Sequence, residues 1–169
     1  MEAALEACGF VADGFNLSGQ NHRWVRGDAQ IDVLAPDFLG ARLMERSHAV
    51  LGRLLSTRGA QFGLDRTERI LVVVDDLEIY INRPDLVGAL YQKCSALLVQ
   101  LDSNQERHLF DIALLVDLLN PADRRDLLGL RTPQKRRIIS GLIKASRGIG
   151  TEQGSERRLL LLIDLLEAR

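Results

Sequence analysis

Four side chains in this sequence are candidates for handling phosphate or metal: Asp32, Lys93, Arg107 and Asp111. Lys93 and Asp111 stand where a helical pattern expects apolar packing. At about 100° per residue, Leu86, Leu90, Cys94, Leu97 and Leu101 form one apolar arc, with Lys93 at its edge. On the helix that follows, Leu109, Ile112, Leu115, Val116, Leu118 and Leu119 form a broad apolar face that contains Asp111, while Glu106 and Asp117 fall opposite. A buried charge without a partner costs several kcal/mol, so both residues need a physical reason. One reading is a lysine for a triphosphate, positioned by an aspartate. The other is a salt bridge tying two helices together, and spacing does not separate them. Arg107, one helical turn before Asp111, is a further candidate partner.

Asp32 lies in Ile31-Asp32-Val33-Leu34, an otherwise apolar strand, and shares a face with Gln30 and Leu34. A carboxylate there could ligate Mg²⁺ beside a nucleotide, because Mg²⁺ takes hard oxygen ligands. The plainer reading is a strand aspartate facing solvent. Asp76-Leu77-Glu78 has the spacing of two carboxylates on one strand face, yet Asp75-Asp76 falls where a hairpin must turn, and the turn is the better reading. His22, His48 and His108 are not at zinc-ligand spacings. No Walker loop and no local Ser-His-Asp motif is present. The run from Arg124 to Arg147 carries Arg124, Arg125, Arg131, Lys135, Arg136, Arg137, Lys144 and Arg147. Such a stripe could track an RNA backbone or form the solvated side of amphipathic helices.

The elements that position these residues are mixed in front and helical behind. Residues 2–8 read as a helix stopped by Gly9. His22 to Ala35 reads as a hairpin turning at Gly27-Asp28 and ended by Pro36. Asp37 to Arg66 allows a helix that four glycines weaken. A second hairpin runs from Ile70 to Ile81 around Asp75-Asp76, and Pro84 opens the next helix. Ser103 and Glu106 form a capping box, Asn120-Pro121 and Thr132-Pro133 start two more helices, and Ser155 caps the last. Residues 147–155 read as a linker. The expected architecture is α+β, with residues 1–83 as a partial α/β part and 84–169 as a helical C-terminal part.

Lys plus Arg number 22 against 23 for Asp plus Glu, so net charge selects no partner. Cys8 and Cys94 both read as small core residues in a reducing compartment, and Trp24 reads as core. The leucine run from Leu159 to Leu166 is broken by Asp164 and too short to span a bilayer. The expectation is a cytoplasmic protein without membrane association.

Taken in order, Gly9-Phe10, His22-Arg23-Trp24, Ile31-Asp32-Val33-Leu34-Ala35-Pro36, Arg66-Thr67-Glu68, Pro84 with Leu90 and Lys93, and Arg107-His108-Leu109-Phe110-Asp111 resemble the AbiEii-type nucleotidyltransferases. These are the toxin half of bacterial type IV toxin–antitoxin pairs and their relatives. The resemblance implies a small mixed sheet with flanking helices and then a helical region. It implies nucleotidyl transfer from an NTP with Mg²⁺. Asp32 would be a metal carboxylate, Lys93 and Arg107 would meet the nucleotide, and Asp111 would orient Lys93 or assist at the metal. It also brings tRNA or another RNA, and an antitoxin protein, as expected partners. The family begins with a Gly-Ser or Gly-Gly turn and a strand bearing Asp-x-Asp, which residues 1–169 do not supply. The expectation is therefore a shortened relative or the product of a downstream start, inactive or weak, since one carboxylate cannot replace three. The rival expectation is a non-catalytic interaction or regulatory module that forms a homo-oligomer through an open sheet edge.

Overall fold

The computed structural model describes residues 2–14, 22–36, 55–99, 105–148 and 153–168. Ser103, His48, Leu101 and residues 37–54 of the stretch from Asp37 to Arg66 lie outside them; in the described part of that stretch Leu55–Thr57 is a strand and only Ala60–Asp65 is helical. The protein is α+β with a helical C-terminal region. It forms two compact units, Met1–Arg58 and Gly59–Arg169. The division expected at residues 83 and 84 falls inside the second unit.

The first unit opens with α1 (Glu2–Ala7). Gly9 has φ 77, and the Phe10 and Gly9 amides donate to the Leu5 and Glu6 carbonyls at 2.9 and 2.8 Å. That paired pattern terminates a helix through a left-handed residue, which glycine adopts without penalty. β1 (Val11–Ala12), β2 (Arg23–Arg26) and β3 (Ala29–Asp32) form an antiparallel sheet in that order. β2 and β3 turn at Gly27-Asp28 as expected. β4 (Leu34–Pro36) pairs in parallel with β5 (Leu55–Thr57). Among the described residues of this unit, Trp24, Phe10 and Ala35 are the buried apolar ones. The Arg26 guanidinium lies 4.8 Å from the centre of the Phe10 ring and donates to the Cys8 carbonyl at 2.7 Å.

The second unit holds α2 (Ala60–Asp65), the hairpin β6 (Thr67–Val74) and β7 (Leu77–Pro84), and the helices α3 (Leu86–Leu97), α4 (Gln105–Leu118), α5 (Pro121–Gly129), α6 (Thr132–Gly148) and α7 (Gln153–Glu167). Pro84 closes β7 instead of opening α3: Asp85 is the N-cap, accepting from the Gly88 amide at 2.7 Å. Proline lacks the donor that a strand interior needs, so a strand end on an edge suits it. Asn120 caps α5 in a full capping box with Asp123, with Pro121 in the first turn. α7 starts before Ser155, so of the expected linker residues 147, 148 and 153–155 are helical, and 149–152 are outside the described residues.

The core joins one face of each helix from α3 to α7. Leu90, Cys94 and Leu97 of α3 pack with Ile112 and Val116, Leu127, Ile138 and Leu142, and Leu159 and Leu166. Leu118 is not part of it and stands exposed. The apolar arc of α4 is wider than the surface its neighbours cover. No helix among the described residues is long and apolar enough to cross a membrane.

Cys94 is buried and Cys8 is exposed, which corrects the expectation that both are core. Cys8 sits past the last turn of α1, where only the backbone is engaged. Burial pushes the Cys94 thiol far above its ordinary 9.0. Above about pH 9 the unfolded chain gives up a proton that the folded chain keeps, so stability falls as pH rises there. Alkylation at pH 8 is expected to modify Cys8 alone in the native protein and both of the two cysteines after denaturation. Two rapidly modified thiols in the native state would contradict this packing.

Candidate functional site

Asp32 ends the edge strand β3, directly opposite Arg23 of β2. The Arg23 Nε–H donates to its Oδ1 at 3.0 Å, and the Gln30 amide reaches both oxygens at 3.2 Å. The Asp32 hydrogen bond and charge raise the Arg23 pKa above its already high ordinary value. Gln30 therefore shares the face as expected, and the carboxylate serves a cross-strand ion pair on an exposed strand.

Mg²⁺ asks for several hard oxygen ligands. Asp32 instead faces a guanidinium and an amide donor. Among the described residues no three His, Cys, Asp or Glu side chains gather as a metal-holding group. This donor set does not fit a two-metal nucleotidyl-transfer centre.

Lys93 and Asp111 do meet. Lys93 Nζ lies 2.6 Å from Asp111 Oδ2, linking α3 to α4, with the two side chains 35 % and 24 % exposed. The approach is that of an ion pair without hydrogen-bond alignment, since Oδ2 has no aligned donor. Arg107 is exposed on α4 and forms no ion pair with Asp111. Asp117 faces outward and pairs with Arg158 of α7 at 2.5 Å. Replacing Lys93 by Met strands a largely enclosed carboxylate, at an expected cost of about 1 kcal/mol. The double change Lys93→Met, Asp111→Leu is expected to recover most of that. Strictly additive single and double effects in denaturant titrations would show that the pair is not coupled.

The basic run is divided in its use. Lys144 is half-buried and its ammonium donates to the Leu97 carbonyl at 2.6 Å, satisfying an end of α3. Arg124, Arg125, Arg131, Arg136 and Arg147 are exposed, and Lys135 and Arg137 are half-buried.

The most connected charged group went unrecognised in the sequence. Arg66 lies between α2 and β6. Its Nε–H donates to both Asp85 oxygens at 3.1 and 2.9 Å, and its Nη2 reaches Asp126 of α5 at 2.6 Å. The Asp85 amide returns to the Arg66 carbonyl at 2.8 Å. Asp85 just before an apolar helical run was a legible N-cap signal. Its arginine partner was not. This knot joins the root of the hairpin to α3 and α5, and it is structural in kind.

A cleft of about 290 Å³ lies between α4, α5 and α7, floored by Val116, Leu119, Leu162 and Leu165, with Asp117, Arg124 and Arg158 at its polar side. None of the four residues expected to do chemistry lines it.

Among the described residues, the β6–β7 hairpin is an apolar surface feature without an intramolecular account. Its register pairs Ile70 with Ile81, Val72 with Ile79 and Val74 with Leu77, placing six aliphatic side chains on one face. The other face carries Leu71 beside Tyr80 and Val73 beside Glu78. Leu77 and Tyr80 are 62 % and 61 % exposed. Each strand has an unpaired outer edge among the described residues. Arg83 and Glu68 form an ion pair at the root, at 2.8 Å, and the Arg69 guanidinium lies 4.3 Å from the centre of the Tyr80 ring. At the tip Asp75 adopts φ 53, a left-handed conformation that Asp tolerates better than most residues.

No family model matches this chain, and comparison with curated proteins and with solved structures finds no match. The likeness to AbiEii-type nucleotidyltransferases rests on the motifs quoted above.

Proposed function

We propose that this chain is a non-catalytic interaction module whose β6–β7 hairpin is completed by a protein partner. The observation that carries the reading is the six-residue aliphatic face on a two-stranded ribbon whose outer edges are unpaired among the described residues. An isolated hairpin is marginal in water, and a long apolar edge strand is a template for another chain. Apolar patches of this kind mark interaction sites. The unpaired cysteines fit a reducing compartment, and we place the protein in the cytoplasm on that ground.

Hydrogen exchange tests the reading directly. In the monomer, the amides of Glu78, Tyr80 and Asn82 on the outer edge of β7 are expected to exchange far faster than those of Ile79 and Ile81. Equal protection of both sets would mean that the chain already covers its own edge. Turnover of any NTP with Mg²⁺ would defeat the non-catalytic part.

A second reading keeps the nucleotide. Lys93 retains about a third of its side chain in water beside Asp111, within reach of an incoming phosphate. In this reading Lys93 and Asp111 form one wall of an NTP pocket in a nucleotidyltransferase-like protein, with RNA and an antitoxin as partner classes. Calorimetry with Mg²⁺ and each NTP decides it: binding lost in Lys93→Ala supports the pocket, and no binding by the parent protein removes it.

A further inference from the structure

We infer that the hairpin's partner is a second copy of this chain, paired β7 to β7 in antiparallel fashion about a two-fold axis at Tyr80. The inference rests on the interaction reading above and names its partner. It follows from which groups β7 leaves unused and from how its side chains match themselves.

In an antiparallel ladder the backbone groups of alternate residues point to the two sides. The hairpin turns through Asp75-Asp76, so Val74 and Leu77 form the first hydrogen-bonded pair and Ile79 and Ile81 also face β6. The N–H and C=O groups of Glu78, Tyr80 and Asn82 then point outward. A two-fold axis normal to the sheet keeps each side chain on its own face, so a residue must oppose its own number or one an even distance away. Centred on Tyr80, the axis opposes Tyr80 to Tyr80 and Glu78 to Asn82 through about six backbone hydrogen bonds. It brings Ile79 opposite Ile81 on the aliphatic face. Tyrosine, isoleucine and acid-to-amide pairs are all favourable neighbours across strands.

The other registers are poorer. Centring on Ile81 brings Glu78 against Pro84, which has no amide to donate, and sets Ile79 against Arg83. Pairing β6 with β6 about Leu71 opposes Arg69 to Val73 and Glu68 to Val74. Pairing it about Val72 opposes Glu68 to Asp76 of the other copy. Centring on Ile79 also sets apolar beside apolar, but it brings the turn residue Asp76 against Asn82 and leaves only Glu78 and Tyr80 in the ladder, with about four hydrogen bonds. The Tyr80 register places apolar beside apolar at its centre, opposes no like charges and uses the outward groups of Glu78, Tyr80 and Asn82 together. Its one mismatch, Leu77 against Arg83, lets the arginine stem cover the leucine while its head stays on Glu68. The acidic turn Asp75-Asp76 also comes beside Arg83 of the second copy, whereas a parallel arrangement would stack the acidic turns together. The product is a four-stranded sheet in the order β6-β7-β7-β6 with a continuous aliphatic face.

The paired strand spans roughly 27 Å at about 3.4 Å per residue, which belongs to the weak class of interfaces. Sedimentation over a concentration series from about 1 to about 200 µM is expected to show the mass rise from 18.9 kDa towards twice that value. In a Cys8→Ser background, Tyr80→Cys is expected to form a disulfide-linked dimer on mild oxidation. Opposed Cα atoms of a hydrogen-bonded pair stand about 5.5 Å apart, within disulfide reach. Asn82→Cys alone is expected to form none, and mixed with Glu78→Cys it is expected to cross-link. Tyr80→Pro removes a donor that β6 does not use and is expected to leave monomers. A monomer throughout whose Glu78, Tyr80 and Asn82 amides exchange freely overturns the second copy and leaves the interaction reading standing. A monomer with those amides protected overturns both. Cross-linking through Asn82 alone, and not through Tyr80, overturns the register.

Discussion

Gly141→Ala is expected to destabilise the helical unit by about 2 kcal/mol. α6 crosses α3 at this glycine. A Cβ on it would lie 2.4 Å from the Cβ of Cys94 and 2.8 Å from the Cys94 Cα and Sγ. Two of those atoms belong to the backbone or its first branch, so no rotamer change clears them. Forcing one methyl into a closed core costs about 3 kcal/mol at the upper end of overpacking, and alanine returns about 1 kcal/mol of helix propensity. The net change is a factor of roughly 30 in the unfolding equilibrium, read as a drop in urea midpoint. Cys94→Ala is not expected to rescue it, because the Cβ remains. Cys94→Gly is expected to rescue it in part. An unchanged midpoint for Gly141→Ala would mean that the helices do not approach this closely.

Arg66→Met is the second large effect, again about 2 kcal/mol. The change removes a two-pronged hydrogen bond to Asp85 and a contact to Asp126. Hydrogen bonds to charged groups are each worth about 1.5–3 kcal/mol. The Arg66 and Asp85 side chains are about a quarter exposed, so that range is discounted for solvent. Asp126 is more open and adds little. Asp85 would keep its bond from Gly88 and lose its counter-charge. Arg66→Lys is expected to lose about half as much, since an ammonium keeps the charge and forfeits the planar fork. Asp85→Asn in the Arg66→Met background is expected to be milder than the sum of the two, because Asn still caps a helix. Equal effects of Arg66→Met and Arg66→Lys would show that charge alone matters there.

The parts of this protein that were legible are those encoded by near neighbours in sequence. Alternation and turn residues gave both hairpins, and Asn120-Pro121-Asp123 gave the start of α5, because each signal is complete within a few residues. The wheel set Lys93 at the edge of one apolar arc and Asp111 inside that of the next helix, and they pair. What was not legible depends on distance along the chain. Arg66 reaches partners 19 and 60 residues away, and nothing near it marks them. Leu118 looked like core because its own helix cannot say how wide a neighbour will be. Asp32 had the right type for a metal ligand, and only the cross-strand register revealed Arg23 against it. Lys144 read as part of a basic stripe, and the fold gave it a carbonyl to close.

The Arg66 knot also has a mechanical meaning. Its carbonyl receives the Asp85 amide and its side chain grips the Asp85 carboxylate, so both strands of the hairpin leave the bundle through one clamp. Beyond it the ribbon is a cantilever, fixed at the root and, among the described residues, without support towards Asp75. A load applied anywhere along β7 becomes a torque at Arg66 and enters the helices through the first turn of α3. Two turns further along that same helix stands Lys93, so a push on the lever and the tether to Asp111 bear on one rigid rod.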